Sequence, residues 1–162
     1  MTNPRILILG NSGSGKTTMA RELRDELGIA HLDLDTIAWA MPGERLPLAE
    51  SVVALDAFRR AQSSWVVEGS YASLVEAALP LCTELRFLNP GVEACVANCR
   101  ARPWEPEKYA SPQEQDERLV FLLDWVRSYE SRDDEYGFAQ HRQLFESFDG
   151  PKREYTTRYL SR

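Results

Sequence analysis

The sequence predicts an α/β protein whose parallel sheet is covered by helices on both faces. Three observations carry this. Residues 5–9, Arg-Ile-Leu-Ile-Leu, form a short apolar, β-branched run of the kind buried on both sides in a parallel sheet. A glycine-rich stretch follows directly, and residues 17–28 then show helical spacing, with Met19, Ala20, Leu23 and Leu27 on one side and mostly charge on the other. Short apolar runs and helical patterns alternate through the rest of the chain.

Gly28 suits the end of the first helix, because glycine tolerates the left-handed conformation common there. A second strand is expected at 29–32, closed by Asp33-Leu34-Asp35. Residues 41–47 hold two prolines and a glycine and read as a loop. A helix is expected over 48–63, a third strand over 65–67 ending at Glu68-Gly69, and a short helix over 71–79 stopped before Pro80. A fourth strand is expected over 85–88, with Asn89-Pro90 capping and opening the helix that runs to about Arg100.

Residues 103–112 are proline-rich and irregular. Ser111-Pro112-Gln113-Glu114 then has the form of a capping box, opening a helix that carries Leu119, Leu122, Leu123 and Val126. Residues 132–135 read as a solvated turn, and 138–148 as a last helix ended by Gly150-Pro151. The tail 152–162 has no clear period, and a fifth strand there would complete the sheet.

With 162 residues, one domain over 1–162 is the simplest division, large enough for a core without staples. A net charge of −6, with no clustered basic stripe, argues against nucleic acid as a partner. Cys82, Cys95 and Cys99 form no C-x-x-C, and read as small buried residues in a reducing compartment. No apolar run approaches the length of a membrane span, and Met1-Thr2-Asn3-Pro4 has no signal-peptide layout; a cytoplasmic protein with no membrane partner is expected.

The chemistry concentrates in Gly10-Asn11-Ser12-Gly13-Ser14-Gly15-Lys16-Thr17, which matches the phosphate-binding pattern G-x-x-x-x-G-K-T in its required strand–loop–helix context. The glycines let backbone N–H groups approach phosphate oxygens. Lys16 supplies a compact charge for the β- and γ-phosphates, and the Thr17 hydroxyl is the expected Mg²⁺ ligand. Asp33 and Asp35 follow the second strand. If the segment stays extended, both carboxylates face one side, one for a metal-bound water and one for the proton of an attacking hydroxyl. The competing reading has them cap the turn and the next helix. Glu68 closes the third strand where a metal-side acid belongs; being a methylene longer than aspartate, it can act through water. Arg100 and Arg102 enter the irregular stretch, where guanidinium groups could clamp a transferring phosphoryl. Trp104 and Tyr109 are ring-packing candidates there, and His31 reads as structural.

The loop from Gly10 through Thr18, the run His31-Leu32-Asp33-Leu34-Asp35 and the run from Trp65 to Tyr71 resemble the small P-loop kinases, the nucleoside monophosphate kinase and shikimate kinase group. They look most like the adenylate-kinase-like proteins labelled topology modulation proteins. The resemblance covers about the first 100 residues. It implies a P-loop NTPase three-layer α/β/α fold with a five-stranded parallel sheet in order 2-3-1-4-5. It further implies Mg²⁺ and ATP bound along Gly10 to Thr18, metal assistance from Thr17, Asp33 and Glu68, Asp35 toward a small-molecule phosphate acceptor, and Arg100 and Arg102 in a lid over 100–115. Three departures stand out: Glu68 replaces an aspartate, the arginine-and-glycine set that holds shikimate is missing, and Pro103-Trp104-Glu105-Pro106 is not an adenylate-kinase lid. The function expected is phosphotransfer by a monomer or homodimer. The alternatives are an ATP-binding regulator with little transfer, and a nucleic-acid-linked ATPase, which the acidic charge opposes.

Overall fold

The structure is a computed structural model describing residues 3–41 and 43–159. Met1, Thr2, Pro42 and the last three residues of the tail lie outside the described residues. Strand β1 (Arg5–Gly10) leads into helix α1 (Lys16–Leu27), which ends at Gly28; the glycine has φ 65° and its N–H donates to the Arg24 carbonyl, the stop its sequence position suggested. Then come β2 (Ala30–Asp33), a one-turn α2 (Asp35–Ala38), β3 (Trp39–Met41), β4 (Glu44–Arg45) and α3 (Leu48–Ala61). Strand β5 (Trp65–Gly69), α4 (Ala72–Ala78), a 3-10 turn (Leu79–Leu81), β6 (Glu84–Leu88) and α5 (Val92–Ala101) follow. The chain closes with α6 (Pro112–Arg127), α7 (Phe138–Ser147) and β7 (Lys152–Tyr155).

Five strands make one parallel sheet in the order β2-β5-β1-β6-β7. With the separate β3–β4 hairpin set aside, this is the 2-3-1-4-5 order, and the tail does supply the fifth strand. Alternation along β1 splits the core in two. Leu7 and Leu9 face one side with Val67, Leu85 and Phe87, under Leu34, Leu55 and Leu74. Ile6 and Ile8 face the other with Val66, under Met19, Ala20 and Leu23 of α1. Burial on both faces is why β1 reads as an unbroken apolar run. A third cluster joins Cys95, Val96 and Cys99 of α5 to Leu123 and Val126 of α6. Burial pushes the Cys95 thiol up to about 11, so it behaves as packing. Ser111 caps α6: its Oγ accepts the Glu114 N–H at 3.1 Å, and Glu114 Oε2 accepts the Ala110 N–H at 2.8 Å. Among the described residues, no helix is long and apolar enough to cross a membrane.

Two local expectations are corrected. Residues 41–47 are not simply a loop: Trp39 pairs with Arg45 and Met41 with Glu44 in an antiparallel hairpin turned at Gly43, which has φ 81°. Asn89 does not cap a helix. The chain turns at Gly91, φ 102°, and α5 starts after it. Asn89 instead stitches β6 to β7, its N–H donating to the Tyr155 carbonyl at 2.8 Å and its amide to Glu154 Oε2 at 3.1 Å.

His141 is fully buried and holds three elements together. Its Nε2 lies 2.8 Å from the Ser70 carbonyl and 3.0 Å from the Glu135 carbonyl, so Nε2 carries the proton, and Nδ1 accepts from the Tyr129 hydroxyl at 2.7 Å. Burial pushes the imidazole down to about 4, from an ordinary 6.5. The unfolded chain therefore binds a proton below pH 6.5 while the folded one resists until about pH 4, and stability is lost as pH falls through that window. The stability advantage of wild type over His141→Gln is expected to shrink by about 3 kcal/mol between pH 7 and pH 4 in urea titrations. A constant difference would place a charged histidine in the fold.

Candidate phosphate-binding and acceptor site

The glycine-rich loop leaves the carboxyl end of the central strand β1, the position where ligands bind open α/β sheets. Its shape comes from Gly13 at φ 82° and Gly15 at φ 100°. Ser14 N–H turns back to the Asn11 carbonyl at 3.1 Å. Neighbouring helices lock it: Asn11 donates its amide to the Val126 carbonyl at 3.2 Å, and Asn98 donates to the Gly13 carbonyl at 2.7 Å. The Asn11 side chain is thus structural, leaving only its backbone to face a ligand.

Several donors in this cradle lack protein partners. Among the described residues, no backbone carbonyl accepts the N–H of Gly13, Gly15, Lys16 or Thr17. Ser14 Oγ is buried with no hydrogen-bond partner. Lys16 is buried and curls over the loop, Nζ donating to the Asn11 carbonyl at 2.7 Å. Burial lowers its pKa, while Glu68 and Asp35 work the other way. A cluster of unpaired donors around a buried ammonium at a helix N-terminus fits a polyphosphate. Ser12 and Gly10 complete the loop, and Thr18 is exposed at the start of α1.

Glu68 lies at the end of β5, opposite Asp33 in register and almost fully buried. Its Oε1 accepts the Thr17 hydroxyl proton at 3.0 Å, so the longer side chain reaches Thr17 directly. With its proton donated to Glu68, the Thr17 oxygen keeps acceptor capacity for a further partner. His31 Nε2 stands 3.6 Å from the same oxygen with no hydrogen bond of its own. Among the described residues, no three acidic, histidine or cysteine side chains form a closed metal cage.

Asp33 and Asp35 converge, although not by extension. The strand ends at Asp33, Leu34 turns with φ −62° and ψ −22°, and α2 begins at Asp35. Asp33 Oδ1 accepts the Asp35 N–H at 2.9 Å, so the turn-capping role is also real. Burial, with the charges of Glu68 and Asp35 adding to it, pushes the Asp33 carboxyl up to about 6. Burial pulls Asp35 the same way, but Lys108, the Tyr71 hydroxyl and Lys16 outweigh it and hold the carboxyl below its ordinary value.

Three residues that sequence reasoning missed complete this half of the site. Lys108 lies 3.3 Å from Asp35, 3.9 Å from Asp33 and 3.7 Å from Glu105, tying the irregular segment to both aspartates. Tyr71 donates its hydroxyl to Asp35 Oδ1 at 2.5 Å, and Trp39 donates Nε1 to the same hydroxyl at 2.8 Å. The sequence carried one hint, since Lys108 is one of only three lysines in the chain and stands among carboxylates. Of the two arginines expected in a lid, Arg102 is half-buried and its charge is felt at Lys16, whereas Arg100 is exposed at the end of α5 and has no ion-pair partner among the described residues. The segment folds on itself: Trp104 Nε1 donates to the Tyr109 carbonyl at 3.1 Å, and Gln115 bonds both Pro103 and Glu105.

The fold is a three-layer α/β/α arrangement around a five-stranded parallel sheet, and solved structures share it. The structure is similar over 98% of the chain to 88% of an unliganded sugar kinase from a Janibacter species, with a TM-score of 0.55 at 15% identity. It also aligns over 88% of the chain with 92% of shikimate kinase from Acinetobacter baumannii in complex with shikimate, with a TM-score of 0.47 at 18% identity. No protein-family model matches the sequence, and no curated protein matches it.

Proposed function

We propose that this protein is an ATP-dependent phosphotransferase that moves the γ-phosphoryl of Mg-ATP to a hydroxyl of a small molecule held beside Asp35. The observation that carries the reading is the meeting, at the carboxyl ends of the strands, of a cradle of unpaired donors around Lys16 with the Asp33–Asp35 pair. Bound Mg²⁺ would neutralise phosphate charge; Thr17 would hold it, with Glu68 fixing the Thr17 hydroxyl and Asp33 placed for a metal-bound water. The loop N–H groups and Lys16 orient the polyphosphate. Asp35, kept ionised by Lys108 and aimed by Tyr71, accepts the acceptor's hydroxyl proton. The lid segment, with Lys108 at its inner edge, excludes water.

Incubation with labelled ATP, Mg²⁺ and pooled acceptors is expected to yield a labelled ester. Tight ATP binding with slow hydrolysis and no labelled acceptor would instead favour a nucleotide-sensing regulator. Asp35→Asn is expected to lower kcat by about 100-fold or more while ATP affinity holds, since the proton acceptor is lost and the phosphate cradle is not. Retained turnover in that variant would remove Asp35 from the acceptor side.

A further inference from the structure

At the end of the sheet away from the phosphate loop, β1 and β5 begin at the register pair Arg5 and Trp65. A cavity of about 500 Å³ opens there beside the last turn of α3. Arg5 and Gly10 are the two ends of β1, so about 17 Å of strand separates this cavity from the loop. Three arginines line it, Arg5 from β1 and Arg59 and Arg60 from α3, and among the described residues no acidic side chain does. In a chain with 25 acidic and 19 basic side chains, this is a local reversal of sign.

The positive charge is only partly answered. Asp56, one turn back on α3, takes both Nε and Nη2 of Arg59 on a single oxygen, Oδ1. Arg5 donates Nε to the Leu81 carbonyl at 2.5 Å, which orients its guanidinium but cancels no charge. Arg60 is exposed, with no hydrogen bond or ion pair among the described residues. Two of the three guanidinium charges thus face no carboxylate. Arginines in the last turn of a helix complement its carbonyl dipole, which accounts for Arg59 and Arg60. It does not account for Arg5, which opens the central strand and lines the same cavity. The same dipole opposes an anion, so a singly charged ligand gains little there.

A dianion matches the two unanswered charges, and planar guanidinium forks fit the oxygens of a phosphate. Asn3, Gln62 and Ser63 add uncharged donors to the wall. A cavity of this size suits a small molecule. We propose that it binds the phosphate group of a small phosphorylated metabolite, as a second anion site independent of the phosphate loop. Arg5 and Arg60 grip the phosphate, while Arg59, held by Asp56, shapes the wall.

The probe is glycerol 3-phosphate at about pH 8, where a phosphate ester with its second proton leaving near about pH 6 is a dianion. Neutral glycerol and singly charged acetate are its matches. Binding is followed by calorimetry at low ionic strength, on Lys16→Met to weaken the phosphate loop as a competing site. Glycerol 3-phosphate is expected to bind at least about tenfold more tightly than acetate, and glycerol not to bind. In the same background Arg60→Gln is expected to weaken it about tenfold, Arg60→Glu to abolish it, and Arg60→Lys to keep most of it. Because Arg60 is exposed, these variants are expected to hold the wild-type melting temperature. Arg60→Gln alone is expected to bind Mg-ATP as wild type does. No binding of glycerol 3-phosphate, affinity no better than that for acetate, or equal affinity in Arg60→Gln and Arg60→Glu each overturns the proposal. Loss of Mg-ATP binding in Arg60→Gln overturns the independence of the two sites.

Discussion

Gly13→Ala is expected to destabilise the protein by about 3 kcal/mol or more, the sum of a forbidden backbone conformation and a steric clash. A Cβ at this position would sit 2.4 Å from the Cys95 carbonyl oxygen and 2.7 Å from Cys99 Sγ. The carbonyl is backbone inside α5 and cannot swing away as a side chain could. Its φ of 82° adds strain for any residue with a Cβ. Gly28→Ala is the control: φ is 65°, but nothing lies within 4 Å of the added methyl, so only the conformational cost of about 1 kcal/mol remains. Urea unfolding of the two variants separates the terms. Equal losses would mean that α5 does not press against the loop.

Lys16→Met is expected to abolish transfer, by about 1,000-fold or more, while leaving the fold at least as stable as before. The two effects have opposite causes. On the phosphotransfer reading proposed above, the ammonium supplies the charge for the β- and γ-phosphates, and Lys16 is the one cation in the loop sequence from Gly10 to Thr18. Yet burial disfavours that charge, which shows in its lowered pKa. Methionine of similar length removes the buried charge and fills the same space. Melting temperature and single-turnover transfer, measured on one preparation, check both halves. Transfer within tenfold of wild type would detach Lys16 from the chemistry, and a large fall in melting temperature would make the lysine a structural ion.

What the sequence revealed and what it hid divide along a physical line. The β1–loop–α1 unit is legible because each of its signals is local: an apolar run, glycines at fixed offsets, an amphipathic helix, a glycine stop. The Ser111 cap is legible for the same reason. The β3–β4 hairpin is not, because three residues paired with two are too short to show a period, and Gly43 reads equally well as loop. Asn89 misleads because a helix cap and a strand-to-strand stitch look alike locally; its partner Glu154 is 65 residues away. The half of the candidate site around Asp33 and Asp35 was legible only as two carboxylates. Lys108 meets Asp35 across 73 positions and Trp39 meets Tyr71 across 32, contacts that only the folded sheet creates. Arg100 and Arg102 stood out as guanidinium groups entering the irregular segment, yet that segment places a lysine, Lys108, against the aspartates.

The position of β1 also bears on how the molecule comes to be made. The strand in the middle of the sheet precedes the other four in the sequence. Its neighbours, β5 and β6, begin about 60 and 80 residues later. Ile6-Leu7-Ile8-Leu9 therefore has no strand partner until β5 at Trp65, and its second edge waits for β6 at Glu84. Such a segment adheres to copies of itself when left bare. Pairing across such long separations is also slow. Yield in a cell should then depend on chaperone cover of the first strand more than on the stability of the finished fold.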